Sequence, residues 1–383
     1  MPWEETNAMT QRARFCALDD EGLFTMTELC QRFRIARKTG YKWRERWRRG
    51  GAAALADGSR APHSCPHRTP DSVVAALLSA KEQHPSWGPK KIHAWVQRRQ
   101  PQRPWPAVST IGDLFARHQL TQPRPRRARR PTHPGAPPLQ PTAPNQVWCA
   151  DFKGEFPTLD GQWCYPFTVT DAYSRVVLAC EALPSTRLEG VLPVCAALFA
   201  AAGLPWAIRT DNGSPFASQG VTGLTRLSVW WAQLGIVHQR IAPGCPQQNG
   251  RHERFHRTLK AETARPPAAD LTAQQQRFAR FCAEFNAERP HEALAGNPPA
   301  SCYQPSPRPL PARVLPPEYP GHFLRRRVSS HGSIRFHSAA IFLCHALAQE
   351  VVGLVEVEEG VWSVHFYDLL LGRFTADQLQ LRG

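Results

Sequence analysis

The chain has 383 residues, more than one ordinary hydrophobic core absorbs, so two to four domains are expected. Lys and Arg number 47 against 31 Asp and Glu, and the formal net charge of +16 suits a polyanionic partner, either nucleic acid or a membrane surface. No run reaches the ~18 uninterrupted apolar residues of a spanning helix, and "MPWEETNAMTQRARF" lacks the apolar stretch of a secretory signal, so a cytoplasmic protein is expected.

In chain order, Thr25-Met26-Thr27-Glu28 fits a capping box, with Thr25 three residues before Glu28. Leu29, Phe33 and Ile35 follow, and then "ARKTGYKWRERWRR". Two short helical patterns across a tight break predict a helix-turn-helix DNA-binding domain over residues 1–60. Its second helix carries Arg37, Lys38, Lys42 and Arg44 among Tyr41, Trp43 and Trp47, which gives aromatics for a core and basic groups for phosphate. Ala36 at its start is a poor cap. "GGAAALADGSRAPHSCPHRTP" reads as a linker. His63, Cys65 and His67 fall within it, but without a fourth ligand or a paired spacing a polar linker is preferred over a zinc site. The other cysteines are scattered and form no Cys-x-x-Cys, which argues against a disulfide framework.

A second three-helix DNA-binding unit is expected over residues 61–121. Val73, Val74, Leu77 and Leu78 have helical spacing, as do Ile92, Trp95 and Val96 behind Pro89. In "VSTIGDLFARHQL", Ser109 and Thr110 offer caps and Asp113 a favourable first-turn charge. Residues 122–145 are rich in Pro and Arg, including Arg126 and Arg127. Proline at that density forbids a helix, and an extended basic tether able to track phosphates is the expectation.

From residue 146 to 300 the pattern becomes α/β. Three strands, a helix, a strand, a helix, a strand and further helices predict a mixed five-stranded sheet. A Pro-rich bridge over 301–321 leads to short alternating strands over 322–383. Five such strands in about 60 residues suggest a small β-barrel, a candidate DNA contact.

Three acidic residues stand out by placement. Asp151 lies in the first strand, Asp211 just past the fourth at Asp-Asn-Gly, and Glu253 near the start of the helix after the fifth. Ligands and catalytic groups in open α/β sheets gather at strand ends. Carboxylates converging there suit Mg²⁺, which prefers oxygen ligands. A plainer reading pairs Glu253 with Arg257 at i,i+4 on a solvated helix face. His256, Arg257 and Lys260 are expected to share the face of Glu253 and to hold DNA phosphates. Gln247, Gln248 and Asn249 either position DNA or cap the helix.

"ARKTGYKW", "HPSWGPKKI", "DFKGEF", "DNGSPF", "GLTRLSVWWAQLGI" and "PGCPQQNGRHERFHRTLKAE" occur in that order. Together they resemble the signature blocks of bacterial insertion-sequence transposases with a retroviral-integrase-type (D,D,E) core. The resemblance implies a ribonuclease H-like fold. It also implies that Asp151, Asp211 and Glu253 bind two Mg²⁺ or Mn²⁺ ions for DNA nicking and strand transfer, with double-stranded DNA as partner and a homo-oligomer assembled on it. The 41 residues between Asp211 and Glu253 exceed the spacing of retroviral integrases. Ala36 stands where the family commonly has Ser, and the retroviral N-terminal zinc module is not recognisable. Two other readings compete: a non-catalytic DNA-binding regulator, and a nuclease of the same fold that hydrolyses without joining.

Overall fold

The computed structural model describes residues 7–58, 68–121, 140–242 and 246–382. It divides into two compact units, residues 1–68 and 69–383. Arg126, Arg127, His63, Cys65 and His67 lie outside the described residues.

The first unit holds α1 (Ala8–Asp20), α2 (Met26–Arg32) and α3 (Arg37–Gly50) around Phe15, Cys16, Met26, Leu29, Cys30, Trp43 and Leu55. The capping box forms at α2: Thr25 N–H donates to Glu28 Oε2 at 2.7 Å, and Glu28 N–H to Thr25 Oγ1 at 3.4 Å. α3 starts at Ala36 without a side-chain cap. Gly40 is required by packing. A Cβ there would lie 2.6 Å from Cys30 Sγ and 2.9 Å from Met26 Sδ, so α3 presses against α2 at this point. The expected linker begins later than its Gly-Ala composition suggests. Gly51–Leu55 form a 3₁₀ turn that drives Leu55 into the core.

The second unit opens with α4 (Asp71–Gln83), α5 (Pro89–Arg99) and α6 (Val108–Arg117), packed on Leu77, Trp87, Ile92, Ile111 and Phe115. Pro89 starts α5 as expected. The caps expected of Ser109 and Thr110 are not used: Ala107 is the N-cap of α6, which places both hydroxyls inside the first turn, and no acidic residue lies in that turn.

The central sheet contains β1 (Val147–Phe152), the two-residue β2 (Phe156–Pro157), β3 (Trp163–Asp171), β4 (Val177–Leu183), β5 (Ala207–Thr210) and β6 (Val237–Arg240). The order is β2-β3-β1-β5-β6, with β4 on β3. β1, β5 and β6 are parallel, and β3 and β4 are antiparallel, so the expected mixed sheet of five main strands is present. α7 (Leu188–Ala202) and α8 (Arg226–Gln233) cover one face through Trp148, Phe167, Phe199 and Trp231. α9 (Gly250–Thr263) and α10 (Leu271–Ala287) cover the other through Phe255, Leu259, Phe278 and Phe281 against Cys164, Val177 and Cys180. α9 and α10 also carry the three-helix unit. His84 Nδ1 lies 2.8 Å from Glu284 Oε1, Ser86 Oγ donates to Glu262 Oε1 at 2.7 Å, and Arg98 Nη2 donates to Glu288 O at 3.0 Å.

The C-terminal region has six strands rather than five: β7 (Leu324–Arg327), β8 (Ser333–Phe336), β9 (Ala339–Phe342), β10 (Val351–Glu358), β11 (Val361–Phe366) and β12 (Leu369–Thr375). The barrel expectation is corrected. β12-β11-β10-β7 form an open antiparallel sheet, while β8 and β9 pair only with each other among the described residues. The hairpin lays Ile334, Phe336 and Ile341 onto Leu354, Val364 and Phe374 of the sheet, which buries one face without closing the ladder.

Candidate active site

Asp151 is the fifth residue of β1 and pairs across the ladder with Thr168 of β3. β1 and β5 run parallel with Val147 opposite Ala207, and carrying that register forward brings Asp151 level with Asp211 at the same sheet end. Asp211 is held in its turn by Gly213 N–H, which donates to Oδ1 at 3.0 Å. A Cβ on Gly213 would come within 3.2 Å of that carboxylate. Glu253 sits exposed in the first turn of α9, where the helix dipole favours an anion.

The charges interact. Burial pushes the Asp151 carboxyl up to about 7, the Asp211 carboxylate adds to the effect, and Glu253 contributes further; Lys153 opposes them. Among the described residues no ion pair joins Glu253 to Arg257, so the plainer surface-pair reading finds no support. Asn249, the N-cap of α9, does not cap with its side chain. Its Nδ2 donates to Asp151 Oδ2 at 3.2 Å, while Gln248 Oε1 accepts from Ala242 N–H at 2.9 Å.

One expectation on α9 is corrected. His256 does not face phosphate beside Arg257 and Lys260. α9 turns His252, Phe255, His256 and Leu259 into the sheet, and His256 is 3% exposed. Four helix residues advance ~6 Å and two strand residues ~6.6 Å, so two histidines at i,i+4 match two alternate residues of β3. The match is with threonines. Thr168 Oγ1 lies 2.8 Å from His252 Nε2 and 2.7 Å from His256 Nε2, and Thr170 Oγ1 lies 2.8 Å from His252 Nδ1. Burial lowers both imidazole pKa values, His252 to about 3 and His256 further. Ligand atoms of Asp151, His252 and His256 all lie within 4.8 Å of one another. Sequence reasoning missed this cluster. Its signal was His-x-x-x-His on a helix facing Thr-x-Thr on a strand.

Arg257 is exposed and Lys260 half-buried on the outer side of α9. On α3, Arg37, Lys38 and Lys42 are exposed, Lys42 with its ammonium 4.9 Å from the Trp43 ring. Arg44 instead pairs with the buried carboxylate of Asp19 at 3.6 Å and stacks on Tyr41, which ties α3 to α1. Arg251 donates to Ala172 O at 3.4 Å and to Gln140 Oε1 at 2.5 Å. No helix among the described residues is long and apolar enough to cross a membrane.

Comparison with known proteins agrees with this layout. Two models of the integrase core domain match residues 141–246 and 234–299, and two homeodomain-like models match residues 9–56 and 39–115. A 39.2 kDa protein of insertion element IS476 from Xanthomonas euvesicatoria is 29% identical over 60% of this chain and 64% of its own length. A 31.7 kDa protein of insertion element IS407 from Burkholderia multivorans is 31% identical over 40% of this chain and 53% of its own. The chain thus spans less than two thirds of these relatives. Among solved structures, the HTLV-2 integrase catalytic core domain with magnesium is 16% identical at a TM-score of 0.34, covering 43% of this chain and 99% of that one. A chain of the simian T-cell lymphotropic virus intasome is 15% identical at 0.38, covering 74% and 98%. The motif resemblance to insertion-sequence transposases with an integrase-type core is borne out.

Proposed function

We propose that this chain, with its integrase core domain and homeodomain-like helix-turn-helix domains, is a DNA transposase: it binds the terminal inverted repeats of an insertion sequence and nicks and joins DNA strands. The observation that carries the reading is the Asp151 carboxyl, which burial raises to about 7 and which the charges of Asp211 and Glu253 raise further, so that residues distant in sequence act on one buried group.

Such a set of hard oxygen donors fits divalent cations. Two Mg²⁺ or Mn²⁺ ions, when bound, stabilise the attacking and leaving oxygens of an in-line phosphoryl displacement. Asp151, Asp211 and Glu253 would hold these ions. Burial raises the Asp151 carboxyl to about 7, so it is about half protonated near neutrality and its ionisation would be coupled to ion binding. Gly213 N–H fixes one oxygen of Asp211 and leaves the other for a ligand. Arg257 and Lys260 hold phosphates on the outer side of α9. Arg37, Lys38 and Lys42 face the DNA end, with Arg44 bracing the helix that carries them, and Arg126 and Arg127 track the backbone between.

In this reading residues 1–60 and 61–121 recognise the end, 122–145 tether them, 146–300 perform the chemistry, and 322–383 add a DNA contact. A homo-oligomer brings two ends together in the bacterial cytoplasm. A purely regulatory DNA-binding protein has no use for a buried carboxyl that two further acidic residues raise. A simple nuclease has no use for two helix-turn-helix units. The test is incubation of the full chain with DNA carrying the inverted repeats that flank its gene, with Mg²⁺ or with EDTA. Joined products that require the metal support the reading; hydrolysis alone would favour the nuclease.

A further inference from the structure

We propose that His256 supplies a nitrogen ligand, through Nδ1, to the ion that Asp151 holds, and that this position therefore binds Mn²⁺ in preference to Mg²⁺. The inference rests on the transposase reading only in taking Asp151 as a metal ligand.

The argument is a proton count. A Thr hydroxyl has one proton to give and two lone pairs to accept with, and a neutral imidazole has one N–H and one bare nitrogen. Thr168 Oγ1 donates its proton to Asp151 O at 3.1 Å. Its contacts with His252 Nε2 at 2.8 Å and His256 Nε2 at 2.7 Å must then both be donated by the rings. Both imidazoles are thereby set as Nε2–H tautomers. The bare Nδ1 of His252 accepts from the Thr170 hydroxyl at 2.8 Å. That ring is fully engaged and has no lone pair left for a metal.

His256 differs. Its bare Nδ1 has no donor among the described residues and faces Asp151 Oδ2 at 3.7 Å. That separation is too long for a hydrogen bond, and two lone pairs confront each other across it. It is a few tenths of an ångström more than the ~3.4 Å that two ligands on ~2.1 Å bonds leave at a tetrahedral angle, a gap that a small side-chain movement closes. Asn249 already gives an N–H to the same Oδ2, and its own buried Oδ1 has no partner. A buried ring whose Nδ1 faces a carboxylate, beside an unpartnered buried amide oxygen, is a place where a shared cation replaces a lone-pair clash with two bonds. Of the three residues that cluster here, Asp151 and His256 are free to ligate and His252 orients its neighbour through Thr168. A mixed nitrogen and oxygen position suits first-row transition ions better than Mg²⁺, which holds to oxygen donors and its own waters.

The experiment is Mn²⁺ binding to the full chain at neutral pH, followed by EPR, with pulsed EPR to detect ¹⁴N coupling from a ligating imidazole. The wild type should show nitrogen coupling on an Mn²⁺ site that Asp151→Asn abolishes. His256→Gln should remove the coupling and weaken Mn²⁺ about tenfold while shifting Mg²⁺ affinity by less than about twofold. His252→Gln should keep the coupling, because that ring does not ligate. The wild-type spectrum needs no substitution, so it decides the matter even if a histidine variant folds poorly. An Asp151-dependent Mn²⁺ site without nitrogen coupling overturns this inference and leaves the catalytic reading standing. Mn²⁺ binding indifferent to Asp151→Asn overturns both.

Discussion

Asp151→Asn is expected to stabilise the metal-free protein at alkaline pH even as it removes the chemistry. The Asp151 side chain is 17% exposed, and its carboxyl is pushed from 3.8 to about 7. A carboxyl with a raised folded-state pKa costs stability only when ionised. The deficit is absent below pH 3.8, grows between 3.8 and about 7, and is complete above. At about 1.4 kcal/mol per pH unit the ceiling is about 4 kcal/mol, and solvent and neighbour relaxation should leave about 1–3 kcal/mol. Asn keeps an oxygen to accept from Asn249 Nδ2 and removes the charge. The variant's advantage over wild type should therefore be near zero at pH 4 and largest at pH 8. Mg²⁺ should reverse it, by stabilising wild type and not the variant. The unfolding of so large a chain is not one transition, so the assay is amide exchange of β1 and β3 in EDTA across this pH range. An advantage that does not change with pH, or a variant less stable at pH 8, would refute the electrostatic account of the site.

Gly40→Ala should destabilise the first unit by about 1–3 kcal/mol despite the better helix propensity of Ala, because the new methyl meets Cys30 Sγ at 2.6 Å; thermal melting of the full chain should lose its first transition. The double substitution Arg37→Ala and Lys38→Ala should lower DNA affinity and reduce the log–log salt slope by about 0.9 per phosphate contact, whereas Arg44→Ala should act on stability through the loss of Asp19; filter binding against salt beside melting curves separates the two. Replacing Arg257 and Lys260 with Ala should flatten the salt dependence similarly for all sequences, and an unchanged slope would make them solvated surface groups.

The positions of the three proposed carboxylates in the fold were legible because each sits at a boundary that local pattern marks: a strand followed by Lys-Gly, a strand running into Asp-Asn-Gly, and a polar turn entering a helix. The orientation of α9 was not. From Glu253, positions i+3, i+4 and i+7 subtend a broad arc, and only the sheet beneath decides that His256 falls inside it and Arg257 outside. The strands of the C-terminal region were visible as alternation, but whether they close depends on which edges meet, and alternation carries no record of that. The docking of His84 and Ser86 onto Glu284 and Glu262 joins residues more than 170 positions apart, and nothing local marks it. Leu55 looked like linker because "GGAAALAD" is small and flexible in composition, yet one leucine was enough to pin the turn.

The central claim is that Asp151, Asp211 and Glu253 act together in phosphoryl transfer on DNA, separately from its recognition. The most direct measurement is strand transfer and end binding assayed side by side for wild type, Asp151→Asn, Asp211→Asn and Glu253→Gln on DNA bearing the element's inverted repeats. Each variant should bind the end within about twofold of wild type and lose joining by at least about a thousandfold. A variant at Asp211 that joins strands at the wild-type rate would contradict the account.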